Sequence, residues 1–179
     1  MPHAQFQARL LVPASGGSDA LGAFVELPKE VSDTLPRRGR TTVDAAINGC
    51  AFQVTLEPDG QLSHWLPISA QMLAAAGAKP GDSASFNIAP AAHEPEPQVP
   101  ADLQGALAAS PAAQAVWDGT TTLARVDWIH WVESAKQAKT RALRIRNACD
   151  MLAKGERRVC CFDVSGFYSK ALGAPKAAD

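Results

Sequence analysis

The spacing of apolar and polar positions changes character about halfway along the chain. In the first ninety residues the apolar positions fall in short runs, each closed by a turn signal, and this predicts strands at residues 6–12 (FQARLLV), 23–27, 41–47, 50–56 and 83–88. Asn48-Gly49 predicts a tight hairpin between the third and fourth of these, and Asp59-Gly60 supplies the next turn. Residues 13–22 are rich in glycine and serine and read as a loop.

Within this half a repeat is visible. LPKEVSDTLPRRGRTTVDAAING, from Leu27, has a counterpart in LPISAQMLAAAGAKPGDSASFNIAP, from Leu66: Leu-Pro, a short helical segment, a glycine turn, then a strand. Gly39 and Gly81 stand just before the final strands, where a residue free of a Cβ tolerates positive φ. Each copy is too small to bury its own apolar face, so the two are expected to interlock about a pseudo-two-fold axis, with residues 24–48 superposing on 65–89. The arrangement resembles the AbrB-like double-split barrel, with both halves in one chain.

Residues 89–100, APAAHEPEPQVP, disfavour helix and strand and read as an extended linker. Beyond them the period becomes helical. Helices are expected at 101–109 and 112–117, with Ser110-Pro111 opening the second and Thr120 to Thr122 capping a third. Trp128, Ile129, Val132 and Ala135 form one apolar stripe, and Ala142, Ile145, Cys149 and Leu152 another. A short turn at 134–138 makes the two an αα-hairpin, and Gly155 stops the second helix. In the tail, Val159 to Phe162 is an apolar run expected to be buried as an irregular cover, with a turn at Ser165-Gly166. The expected fold class is α+β: a duplicated β-barrel domain over 1–90, a Pro-rich linker over 91–100, and a helical domain over 101–179.

Candidate chemistry concentrates at the hairpin. Arg125 and Lys136 flank the first stripe, Arg141 lies on the apolar side of the second helix near its N-terminus, and Arg144 lies on its flank. With Thr140, these residues can cup an anion, aided by the free N–H groups and dipole of a helix start. The structural alternative is an internal carboxylate, such as Asp127 or Glu133, or a set of carbonyls, pairing with an inward arginine, because an unpaired buried charge costs several kcal/mol. Trp128 and Trp131 beside these cations read either as an aromatic recognition surface or as core.

Charge sharpens this picture. The whole chain carries a formal charge of −1, but residues 1–100 hold 6 Lys/Arg against 10 Asp/Glu and residues 101–179 hold 11 against 8. An anionic partner therefore belongs with the second half, and the acidic first half speaks against nucleic acid on the barrel. Neither a leader-like start nor a spanning apolar run is present, so a cytoplasmic protein without membrane insertion is expected. The four cysteines, Cys50, Cys149, Cys160 and Cys161, form no CxxC pair and are expected as reduced thiols. Cys160 and Cys161 beside Arg157 and Arg158 leave a redox or soft-metal role open. His3, His64, His93 and His130 show no metal-ligand spacing, and the phosphate-loop, dinucleotide, zincin and nucleophile-elbow signatures are absent. No cofactor, metal or catalytic residue is assigned.

The order of pieces is distinctive. The barrel repeat, VPADLQGAL, WIHWVESAKQAKTRALRIR and RRVCCFDVSGFYSKALGAP together resemble the bacteriocin-protection, or YdeI/OmpD-associated, proteins that carry an N-terminal domain of unknown function 1905. The resemblance covers most of the chain, and its most specific part is the spacing of Trp128-Ile129, Ala135-Lys136, Thr140-Arg141 and Arg144-Ile145. It implies protection against antimicrobial peptides and supplies no catalytic residues. The expected function is a non-enzymatic binding or protective module, its partner a peptide or an anionic small molecule. The alternatives are an AbrB-like DNA-binding regulator, with Arg37, Arg38 and Arg40 as its cations, and an enzyme on an anionic small molecule, with Asp127, Glu133 or His130 near the corner.

Overall fold

A computed structural model of the chain describes residues 3–14, 21–159 and 173–179. The architecture is α+β, and it divides into two compact units: residues 1–93 with 165–179, and residues 94–164.

The first unit is a curled, half-barrel sheet of six antiparallel strands: β1 (Ala4–Arg9), β2 (Leu21–Glu26), β3 (Thr41–Ile47), β4 (Cys50–Pro58), β5 (His64–Ser69) and β6 (Ser83–Pro90), in the order β1-β6-β3-β4-β5-β2. Helix α1 (Lys29–Ser32) follows β2, and α2 (Ala70–Ala75) follows β5. The sheet's two edges meet at one point, where Leu11 and Phe24 exchange backbone hydrogen bonds of 2.9 Å. Alternation along the strands sends Val43, Ala45, Ile47, Leu56, Leu66, Ile68, Phe86 and Ile88 into one core. Phe6 stacks on Phe86 at its margin, with ring centroids 5.1 Å apart.

The pairings respect the expected duplication. β2 pairs with β5 and β3 with β6, while β3–β4 is matched by β6–β1. The repeat's register differs from the one its Leu-Pro cue suggests. Pro28 is the N-cap of α1, and its counterpart at the start of α2 is Ser69, whose hydroxyl accepts from the Met72 N–H at 3.2 Å. Pro67 instead lies inside β5, opposite Phe24 and beyond the two residue pairs that join β5 to β4, so the proline deprives no ladder of a donor there.

Turn chemistry fixes the connections. Asn48 and Gly49 take φ of 49° and 84°, as a two-residue hairpin of this twist requires. Asp59 Oδ1 accepts from the N–H groups of Gln61 and Ser63, at 2.7 and 2.8 Å, and holds the next turn. Gly81 has φ +94°, as expected. Gly39 does not take positive φ. It lends its carbonyl to a buried imidazole: His64 Nε2 lies 3.0 Å from Gly39 O, and His64 Nδ1 lies 2.7 Å from Ser32 Oγ. A carbonyl only accepts, so Nε2 carries the proton and Nδ1 accepts from Ser32. His64 and Ser32 are fully buried, so this pair ties β5 to α1 and to the approach of β3 rather than meeting a substrate.

The second unit has four helices: α3 (Ala101–Ala108), α4 (Pro111–Asp118), α5 (Thr122–Glu133) and α6 (Ala138–Ala153), the last packing against the other three. Thr121 caps α5 through a 3.1 Å bond from the Ala124 N–H. Gly155, at φ +91°, ends α6: its N–H reaches Leu152 O and that of Glu156 reaches Met151 O, the paired bonds of a Schellman stop. The core joins Leu103, Leu107, Trp117, Trp128, Ile129, Val132, Ile145, Ala148 and Leu152. Ala148 takes the place in the second stripe expected for Ala142, which is exposed.

The chain's end returns to the first unit. Residues 173–179 sit with the sheet unit, where Ala14 N–H donates to Lys176 O and Ala178 N–H to Val12 O. Val159 packs on the helical core, while Cys160, Cys161, Phe162 and the Ser165-Gly166 turn lie outside the described residues.

Candidate functional site

The sequence points to the α5–α6 corner, and each cation there has a definable set of partners. Arg125, on the first turns of α5, uses its whole guanidinium. Nε and Nη2 donate to the two carboxylate oxygens of Glu96 at 2.5 and 3.0 Å, and Nη1 donates to Thr120 O at 2.7 Å and Trp117 O at 3.2 Å. Thr122 Oγ1 donates to the same glutamate at 2.9 Å. Glu96 belongs to the stretch expected as a free linker. Its carboxyl is held below the usual range, chiefly by the Arg125 bonds; burial opposes this, and the weaker effect of the Thr122 bond adds to the lowering.

Arg141 makes a second fork. Nε donates to Asp102 Oδ2 at 2.6 Å and Nη2 to Asp102 Oδ1 at 3.0 Å. The internal carboxylate is thus Asp102, in the first turn of α3, and neither Asp127 nor Glu133 takes that place. Asp102 also accepts from the Leu103 N–H at 2.9 Å, so it serves the start of α3 as well as the arginine. The Arg141 bonds hold its carboxyl below the usual aspartate range.

Arg144 is placed differently. Nη1 donates to Trp131 O at 2.7 Å and to Ser134 Oγ at 2.8 Å, and the guanidinium carbon stands 5.6 Å from the centre of the Trp131 ring. The side chain therefore reaches back from α6 to the last turn of α5, the direction in which helical side chains lean. Among the described residues no carboxylate pairs with it, and its Nε and Nη2 make no bond. Lys136 is exposed in the turn between the helices, and Thr140 is half-buried in the first turn of α6. That turn begins at Gln137 with no side-chain cap. The three arginines are thus held by three separate partner sets rather than converging on one centre.

The two tryptophans separate as well. Trp128 is fully buried and is core, not surface; its indole N–H donates to Arg157 O at 3.3 Å. Trp131 is half-buried, meets Trp128 edge-on at 6.2 Å and offers its face to Arg144. Sequence reasoning missed Glu96 and Asp102 as partners. Each is distant in sequence from its arginine, and the only local signals were a proline-flanked glutamate and an acid in a first helical turn.

Comparisons with known proteins divide the chain as its two units do. Residues 6–88 match a domain of unknown function, DUF1905, and residues 96–155 match the family described as bacteriocin-protection, YdeI or OmpD-associated. No curated protein matches the chain. Among the described residues, no helix is long and apolar enough to cross a membrane. The chain thus has the arrangement of an N-terminal DUF1905 domain followed by a region that matches the bacteriocin-protection, YdeI/OmpD-associated family.

Proposed function

We propose that the helical unit is a non-enzymatic, cytoplasmic binding module that holds an acidic group of a peptide or small molecule at the α5–α6 corner. Arg144 is the principal ligand, with Lys136 and Thr140 beside it. One observation carries this reading. Arg125 and Arg141 spend their forks on internal carboxylates, whereas Arg144 is fixed in place by Trp131 and Ser134 through a single nitrogen, leaving Nε and Nη2 without a bond among the described residues. A guanidinium with two parallel N–H groups held in a fixed direction suits a carboxylate or phosphate. Its orientation is already paid for by the protein, so a ligand has little ordering cost left to meet. Capturing a ligand without converting it fits the family's description as bacteriocin-protection proteins.

Calorimetric titration with inorganic phosphate and with an acetylated tetraglutamate amide tests the proposal. The wild type is expected to bind at least one of them saturably, and Arg144→Gln to bind it at least about tenfold more weakly, the scale of one charge-assisted hydrogen bond. Arg141→Ala is expected to bind as the wild type does. Equal binding by wild type and Arg144→Gln, or no saturable binding by the wild type, overturns it.

A further inference from the structure

A different surface, on the sheet unit, has the chemistry of a site of opposite charge. On the outer face of the β1–β6–β3–β4 sheet the register sets Gln5, Asn87, Ala46 and Ala51 in one row across the four strands, and Ala89, Asp44 and Gln53 in the next. Alanines fill three of these seven positions, so the face sinks into two adjoining depressions of about 590 and 490 Å³ that share Ala46 and Asn87. Each is in the size range of small-ligand sites. Polar groups rim them: Asp44 and His3 on the first, and Gln5, Gln7 and Ser85 on the second.

Two acceptors here are underused. Asn87 Oδ1 is buried and has no hydrogen-bond partner among the described residues, a state that costs free energy until a donor arrives. Asp44 accepts one bond, from Gln53 Nε2 at 2.9 Å, and no cation pairs with it among the described residues. Among the described residues, Asp44 is also the only carboxylate lining either depression, and no lysine or arginine lines them. Asp44 stands two residues before Ala46, which faces Asn87 across the β3–β6 ladder, so both acceptors serve the same depression.

We propose that this face binds a short basic peptide: a lysine or arginine side chain donates to Asp44 and Asn87 Oδ1 over the alanine floor, and the peptide backbone lies along the amides of Gln5 and Gln7. The site is separate from the Arg144 corner, so each proposal fails or stands alone.

The test is a ¹⁵N–¹H NMR titration of the whole chain with acetyl-Ala-Lys-Ala-Lys-Ala-amide, using the Glu-for-Lys peptide as control. The basic peptide is expected to shift the amides of Asp44, Ala46 and Asn87 saturably and the acidic one to leave them in place. Asp44→Asn keeps an acceptor for Gln53 and is expected to fold as the wild type does by its spectrum, while weakening binding by about tenfold or more. Asn87→Leu, which removes the buried acceptor, is expected to weaken it as well. Shifts confined to other residues, equal binding of both peptides, or undiminished binding by folded Asp44→Asn overturns the proposal.

Discussion

Arg141 of α6 grips Asp102 of α3 through two parallel hydrogen bonds, 2.6 and 3.0 Å long, across 39 residues of sequence. Both side chains keep solvent contact, 32% for the arginine and 46% for the aspartate, so the pair is a partly screened clasp and not a buried charge. Arg141→Ala is therefore expected to cost about 0.5–1.5 kcal/mol, well short of the several expected for a fully buried pair. Thermal unfolding checks this, and the loss should shrink as salt is added.

His64 carries a larger share of the sheet unit's stability. Replacing it with alanine leaves Ser32 Oγ and Gly39 O without a partner inside the core and opens a cavity, for an expected loss of about 3 kcal/mol. Burial pushes the imidazole's pKa below its ordinary value; the Gly39 bond and Asp59 oppose this, and Arg38 and Arg37 add to it. Below about pH 6.5 the unfolded chain thus takes up a proton more readily than the folded one, so this contribution is complete above that pH and declines as pH falls. Denaturant unfolding from pH 8 to pH 5 should show the decline in the wild type and a flatter profile in His64→Gln.

Glu96 pins residues 94–100 to α5, and the bond network around Arg125 gives the direction of two further effects. Glu96→Gln removes the charged half of the fork and is expected to raise amide hydrogen exchange across 94–100 while α5 keeps its protection. Because Arg125 holds the Glu96 carboxyl below its ordinary value, that tie is intact above about pH 4.3 and weakens as pH falls further.

Elements bounded by local chemistry were legible in the sequence. Asn48-Gly49, Asp59-Gly60, Thr121 and Gly155 each act within a turn or a cap; β3, β4, α5 and α6 fall where the pattern put them, while β5, beyond the Asp59-Gly60 turn, was not among the expected strands. The repeat was legible as a repeat but not in its register. Leu-Pro occurs twice, yet proline serves as a helix cap in one copy and as a strand residue in the other, and the surrounding pairings decide which.

Long-range partnership was the part the sequence did not display. The cations of the corner were visible as a cluster, while Glu96 and Asp102, which occupy two of them, lie 29 and 39 residues away. The return of residues 173–179 to Val12 and Ala14 was hidden for the same reason: a pair of backbone hydrogen bonds leaves no compositional trace. Asn87 reads as an ordinary strand residue, and only the register that sets it beside Ala46 and Gln5 reveals its buried oxygen.

The Arg144 corner is tested most directly by following the arginine Nε–H signals in a ¹⁵N–¹H spectrum while inorganic phosphate is added at constant ionic strength. Arg144 is expected to shift saturably, because its Nε is bonded to no described residue, while Arg125 and Arg141, whose Nε groups already donate to Glu96 and Asp102, stay in place. A motionless Arg144 signal, or one that moves only as much as those two, would contradict the account.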